Sequence, residues 1–260
     1  MHLIFSHGEK GGVGKSLTAA AVIDLFLMRG LKVAVVDGDI DNADIAQRYE
    51  NAVERSAKIR LSDASEFKRS VNALSTFIES LDENSADFLV VNLPAGARAT
   101  VDRDTDTIYE MLDILGIARD DVTVLISSGN TDLSVKSTVQ IAKDGLGRLA
   151  GQVAILVPEF LRDETLADRL RAQIAVAYAD VKTSPEPRIF SMPALPADVV
   201  EKIRDYPTAL LTHLAFQHPQ SPIGAGVVTR VRVRQWLRDI NSQIVEMLFS
   251  NVVKLSREEL

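Results

Sequence analysis

Residues 10–16 read Lys-Gly-Gly-Val-Gly-Lys-Ser and follow a short apolar run, Leu3-Ile4-Phe5. These residue types at this spacing suit a phosphate cradle. Gly11, Gly12 and Gly14 let the backbone bend tightly and turn its N–H groups toward an anion. Lys15 can reach the outer phosphates of a nucleotide, and the Ser16 hydroxyl can hold Mg²⁺. A helix beginning near Ser16 points its positive end at the same phosphates. The strict pattern has Gly at position 9, where this chain has Glu9. Lys10 adds a second cation at the front edge of the loop.

Other residues with matching chemistry lie at the ends of apolar runs. The second run ends in Asp37-Gly38-Asp39-Ile40-Asp41. An aspartate at a strand end can hold a water beside a terminal phosphate without touching the nucleotide. A third run, Phe88–Leu93, leads into Pro94-Ala95-Gly96-Ala97-Arg98 and contains Asn92. Asn accepts a hydrogen bond through its carbonyl oxygen but is neutral and takes up no proton. The sixth run leads into Ser191-Met192-Pro193-Ala194-Leu195-Pro196.

Lys10 resembles the signature lysine of the deviant Walker A motif, Lys-Gly-Gly-x-Gly-Lys-Ser/Thr, and with it the ParA/MinD family of P-loop ATPases. The resemblance follows the layout of the whole chain and is detailed in segments 8–18, 33–42 and 88–98. It implies that Lys10 crosses a dimer interface to the nucleotide of the other subunit. It implies catalytic roles for Lys10, Lys15 and Asp39, the last orienting the attacking water. It implies nucleotide binding by Gly11, Gly12, Val13, Gly14, Lys15, Ser16 and Leu17, by the Gly96 backbone N–H, and by Met192, Pro193 and Leu195. Mg²⁺ would involve Ser16, Asp37, Asp39 and Asn92. The family's third-strand pattern carries Asp where Asn92 stands, so the resemblance implies either that hydrolysis is slow or that Asp37 supplies the missing charge. Arg98 reads as a surface arginine. No Asn-Lys-x-Asp guanine loop occurs, so ATP is favoured over GTP.

The elements that must position these groups follow from the hydrophobic pattern. Near-continuous apolar runs at His2–Ser6, Lys32–Asp37, Phe88–Leu93, Val122–Ser127, Gln152–Val157 and Arg188–Met192 suit parallel strands buried on both faces. Helical patterns near 16–29, 64–80, 105–116, 132–147, 163–178 and 197–204 alternate with them. This predicts an α/β fold: a doubly wound, mainly parallel sheet with helices on both faces and ligands at the C-terminal strand ends. Asp41–Ser62 reads as a short helix and a connection, and Gln217–Gly226 as a loop. A final helix is expected over about 228–255, with Trp236, Leu237, Ile240, Ile244 and Leu248 on its packed side. Asn130 or Thr131 should cap the helix that follows the fourth run.

Composition bounds the rest. With 260 residues, 46% of them hydrophobic and 25% charged, the chain suffices for a single domain spanning 1–260. The net charge of −7 provides no global attraction for nucleic acid or anionic membrane. The absence of cysteine excludes disulfides, thiolate metal sites and cysteine nucleophiles. His2, His7, His213 and His218 lack metal-ligand spacing and read as surface or loop residues. No run approaches the roughly 20 apolar residues of a membrane-spanning helix, and no leader pattern precedes the first strand. The expected setting is cytoplasmic.

The expected function is a Mg²⁺- and ATP-dependent homodimer with the nucleotide sandwiched between subunits. It would position or partition DNA or a cellular complex, with mobile-element partition or conjugative transfer as the favoured subgroup. Arg230, Arg232, Arg234 and Arg238 make DNA, or a DNA-bound adaptor protein, a candidate partner. The acidic end, Arg257-Glu258-Glu259-Leu260, argues against membrane binding. The alternatives are a nucleotide-binding adaptor with little or no hydrolysis and a MinD-like positioning protein.

Overall fold

In the computed structural model of the protein, which describes residues 1–81, 85–181, 185–208, 210–216 and 226–249, seven strands form one sheet. They are β1 (His2–His7), β2 (Val33–Asp37), β3 (Arg55–Lys58), β4 (Phe88–Asn92), β5 (Val122–Ser127), β6 (Gln152–Pro158) and β7 (Arg188–Met192). Their order is β3-β2-β4-β1-β5-β6-β7, and every pairing is parallel. The chain winds outward from β1 in both directions, so the sheet changes sense beside the strand that carries the glycine-rich loop. That is where doubly wound sheets open a crevice for ligands.

Alternate residues of the strands face opposite cores. Ile4, Val35, Val90 and Leu125 pack with α1 (Lys15–Met28), α2 (Asp44–Tyr49), α7 (Ala197–Asp205), α8 (Leu211–Phe216) and α9 (Val227–Ile240). Phe5, Val36, Val91 and Val124 pack with α3 (Phe67–Glu79), α4 (Thr105–Ile114), α5 (Asp132–Lys143) and α6 (Leu166–Tyr178). Covering both faces requires both sets of side chains to be apolar, which is why these strands read as continuous runs. Inside the first core, Phe26 stacks on Phe88 at 4.0 Å, and Phe249 meets Phe26 edge-on at 5.3 Å. Each such ring is worth roughly 1.5–3 kcal/mol of apolar burial.

Several elements differ from the sequence expectation. The connection expected over 41–62 contains β3 as well as α2. Arg55-Ser56-Ala57-Lys58 is an outermost strand with exposed ends, so it lacks the apolar signature of its neighbours. α8 was not anticipated. It is fastened by Asp24, which accepts hydrogen bonds from Leu211 N (3.2 Å), Thr212 N (3.0 Å) and Thr212 Oγ1 (2.7 Å). The final helix runs as α9, passes through a π-turn at Asn241–Val245, and continues as α10 (Glu246–Phe249). Trp236, Leu237, Ile240, Ile244 and Leu248 are all buried, as expected. The expected extension over 250–255 and residues 217–225 of the expected loop lie outside the described residues. His2 and His7 are buried rather than superficial, because both belong to the central strand. Among the described residues, no helix is long and apolar enough to cross a membrane.

Candidate phosphate-binding site

The loop between β1 and α1 is built around two left-handed glycines. Gly12 and Gly14 have φ of +77° and +98°, conformations that cost a side-chain-bearing residue energy. Gly14 precedes α1 and no side chain caps that helix, so its first N–H groups are available to an anion. Val13 is buried beneath the loop against Gly8 and Gly129. Ser6 Oγ donates to Lys15 O at 3.0 Å and ties the helix start to β1.

The two lysines of the loop face different surroundings. Lys15 is buried, and its Nζ donates back to Lys10 O at 2.8 Å. Burial pushes its ammonium below the ordinary lysine range, while Asp39 and Asp44 pull the other way. Lys10 is exposed, and its Nζ donates outward to Thr131 Oγ1 at 3.3 Å. Thr131 in turn caps α5, accepting from Ser134 N at 3.2 Å.

Carboxylates and amides from β2 and β4 meet beside Ser16. Asp37 is fully buried at the end of β2. Its Oδ2 accepts from Ile45 N (3.0 Å) and Ala46 N (3.1 Å), and its Oδ1 from Asn92 Nδ2 (3.0 Å). Desolvation raises its pKa, opposed chiefly by the Ala46 N–H and the Asn92 amide. Asn92 Nδ2 lies 3.5 Å from Ser16 Oγ, whereas Asn92 Oδ1 is buried without a partner. Gly38 lets β2 and β4 close together here, since a Cβ would sit 2.9 Å from Asn92 O. Asp39 is partly exposed and caps a short turn by accepting from Asn42 N at 3.3 Å. Ser16, Asp37 and Asn92 therefore converge, with Asp39 beside them at the strand end.

Asp44 belongs to this constellation and has no recognisable sequence signal. Desolvation of its carboxyl raises its pKa, opposed by a hydrogen bond from Ser16 and by Arg48. No group of three or more His, Asp or Glu side chains suited to a metal ion occurs among the described residues. Mg²⁺ needs few protein ligands because it keeps several waters and binds substrate phosphates, and the hydroxyl at the Ser16 position of such a loop can supply one of them. The orphaned Asn92 Oδ1 fits such a water.

A cavity of 760 Å³ opens from the loop. Lys15, Ser16, Leu17, Phe160, Leu195 and Val200 are among the residues that line it. Of Met192, Pro193 and Leu195, the three residues expected to hold the nucleotide after the sixth run, Leu195 lines this cavity. Met192 and Pro193 do not line this cavity. Met192 is buried in the core, and Pro193 O accepts from Trp236 Nε1 at 2.9 Å, so packing of α9 draws this segment inward. Phe160 was missed. It follows the C-terminal end of β6, with its ring 3.5 Å from the position of a Cβ on Gly14. Its placement just beyond a strand end was the available signal.

The loop after β4 rests on the phosphate loop. Gly96 N donates to Glu9 O at 3.1 Å, so the N–H expected to face a phosphate is engaged here. Arg98 donates to Ser137 Oγ (2.8 Å) and Gln140 Oε1 (2.5 Å), and lies 3.8 Å from the Glu9 carboxylate. The arginines of α9 are drawn into local contacts. Arg234 donates to Ala215 O at 2.9 Å and lies over Phe216, and Arg232 reaches Asp198 at 4.0 Å.

The family profile CbiA, described as the CobQ/CobB/MinD/ParA nucleotide binding domain, matches residues 4–175. The curated Protein MobD of Acidithiobacillus ferrooxidans is 37% identical over 65 residues, which covers 25% of this chain and 28% of that protein. Among solved structures, the MinD cell division protein of Aquifex aeolicus superposes with a TM-score of 0.50 at 15% identity, covering 99% of this chain and 100% of that one. A McdA variant of Cyanothece in complex with ATP gives a TM-score of 0.50 at 13% identity, covering 99% of both chains. At these identities the structural likenesses describe the fold.

Proposed function

Because the chain belongs to the CobQ/CobB/MinD/ParA nucleotide-binding domain family, we propose that it is a Mg²⁺-ATP-dependent switch that dimerises around its nucleotide and hydrolyses it slowly. In this reading residues 1–260 form a single such domain. The observation that carries it is the opposed setting of the two loop lysines. Lys15 is buried toward the cradle and serves the phosphates of its own subunit. Lys10 projects outward at the site's edge, where a second subunit's phosphates could receive it.

Gly11, Gly12, Val13, Gly14, Lys15, Ser16 and Leu17 hold the phosphates, with Leu195 and Phe160 beside the base. Ser16 and the water-accepting Asn92, with Asp37 and Asp39 around them, would hold Mg²⁺, which neutralises phosphate charge when bound. Asp39 orients the attacking water, and transfer relies on positioning and electrostatics. Asn92 contributes no charge, which limits turnover and keeps the nucleotide-bound state long-lived. The output is positioning or partition of DNA or a protein complex, in a mobile-element or conjugative-transfer setting. The engaged Arg232 and Arg234 favour a protein adaptor over direct DNA contact.

The test is the solution mass with Mg²⁺ and a non-hydrolysable ATP analogue. Wild type should shift from monomer to dimer, and Lys10→Ala should bind the analogue yet stay monomeric. Dimerisation of Lys10→Ala at wild-type concentrations would sink the sandwich reading.

A further inference from the structure

His7 is the last residue of β1, and its side chain is fully enclosed. Its Nδ1 accepts from Gly8 N at 2.6 Å, which places the ring proton on Nε2. That nitrogen lies 2.9 Å from Asp102 Oδ2, so it donates to the carboxylate. The other oxygen of Asp102 accepts from Leu146 N at 2.8 Å, in the turn after α5. Nothing in the phosphate chemistry requires this chain of bonds.

Its position gives it a use. Gly8 lies between His7 and Glu9. Glu9 O holds Gly96 at the front of the loop after β4, and His7 holds Asp102 at that loop's far end. Midway, Arg98 bridges from the Glu9 carboxylate to Ser137 and Gln140 on α5. The segment 96–102 is therefore tied at its front to Glu9 of the phosphate loop and at its end to His7 of β1, and through Arg98 and Asp102 to α5 and its following turn. A bound phosphate that draws Gly96 N away from Glu9 O would shift the front of this segment, while Asp102 stays pinned.

We propose that His7 is a positioning residue: through Asp102 it forms the fixed pivot about which segment 96–102 responds to phosphate occupancy and passes that response to α5 and the Leu146 turn. The inference rests on the nucleotide reading above. Coupling of this kind needs a contiguous network with two arrangements, and the Gly96–Glu9 bond is the element that would break and re-form.

Asn and Gln separate the two bonds of His7. An Asn amide falls near the Nδ1 position and can keep the Gly8 contact, whereas a Gln amide reaches near Nε2 and can donate to Asp102. Full-length wild type, His7→Asn and His7→Gln would be compared for affinity toward a fluorescent ATP analogue, for ATP turnover, and for amide exchange with and without the non-hydrolysable analogue. In wild type, nucleotide should slow exchange in 96–104 and 145–149. In His7→Asn, affinity and KM should stay within about threefold while kcat falls about tenfold and the exchange response at 145–149 is lost. His7→Gln should recover both. Asp102→Asn, which can accept from only one of its two donors, should reproduce the loss if His7→Asn folds poorly. A wild-type exchange response at 145–149 in folded His7→Asn or Asp102→Asn would overturn the proposal. If wild type binds no nucleotide, the functional reading itself fails and the pivot falls with it.

Discussion

Asn92 donates its amide to Asp37 at 3.0 Å, and both groups are buried where β4 and β2 lie side by side. The neutral side chain at position 92 is thus the partner of the carboxylate at position 37. Two carboxylates at this separation cannot both ionise in a desolvated site.

Asn92→Asp should therefore give a pH-dependent loss of stability in the nucleotide-free protein. One carboxyl of the new pair would keep its proton well above the ordinary carboxylate range. Stability would be near wild type in acid, where that proton is bound, and would fall as pH rises through the raised pKa. The expected loss is about 1–3 kcal/mol at pH 8, read as a difference in melting temperature that shrinks toward pH 5. Mg²⁺ with nucleotide should restore more stability to the variant than to wild type. An equal melting temperature at both pH values would show that the pair is not coupled.

Lys15 is held beneath the loop at a cost. Its lowered pKa means the fold disfavours the ammonium; the penalty is present at neutral pH and is relieved only as pH rises toward the ordinary lysine value. Lys15→Met should raise the nucleotide-free melting temperature by roughly 1–4 °C, about 0.5–1 kcal/mol. The same variant should lose the melting shift that Mg²⁺-ATP gives wild type. Thermal denaturation with and without nucleotide reads both effects.

In the proposed reading Phe160, whose ring lies 3.5 Å from the position of a Cβ on Gly14, stacks on the base. Phe160→Ala should weaken nucleotide binding by roughly 5- to 150-fold, corresponding to about 1–3 kcal/mol of stacking. Inorganic triphosphate should bind the variant and wild type alike, since it has no base. Competition titrations against a fluorescent nucleotide distinguish the two ligands.

Asp24 holds α8 against α1 and also accepts from Tyr49 OH at 2.5 Å. Asp24→Ala would strand these donors in the first core. A loss on the order of 2–4 kcal/mol is expected, seen as a lower denaturant midpoint. The nucleotide affinity of the folded fraction should change little, because no contact of Asp24 is a loop residue.

The sequence alone carried the cradle. Glycines at 11, 12 and 14, with Lys15 and Ser16 behind an apolar run, act through local backbone geometry, and local geometry is written in neighbouring residues. The five interior strands were legible for a similar reason, since burial on both faces forces a recognisable pattern, and the edge strand β7 and the longer helices kept enough apolar periodicity to be read. β3 was not legible because an edge strand needs no apolar side chains, nor was α8, whose capping group lies 188 positions away at Asp24. The sheet order brought Asp37 to Asn92, Phe160 to Gly14 and His7 to Asp102. Met192 was drawn into the core because Trp236, from a distant helix, took the carbonyl of Pro193. Spacing along a chain can reveal a loop that folds on itself, but only the crossing of the strands decides which distant side chains share a site. That crossing is set by the packing of two cores, which no single segment contains.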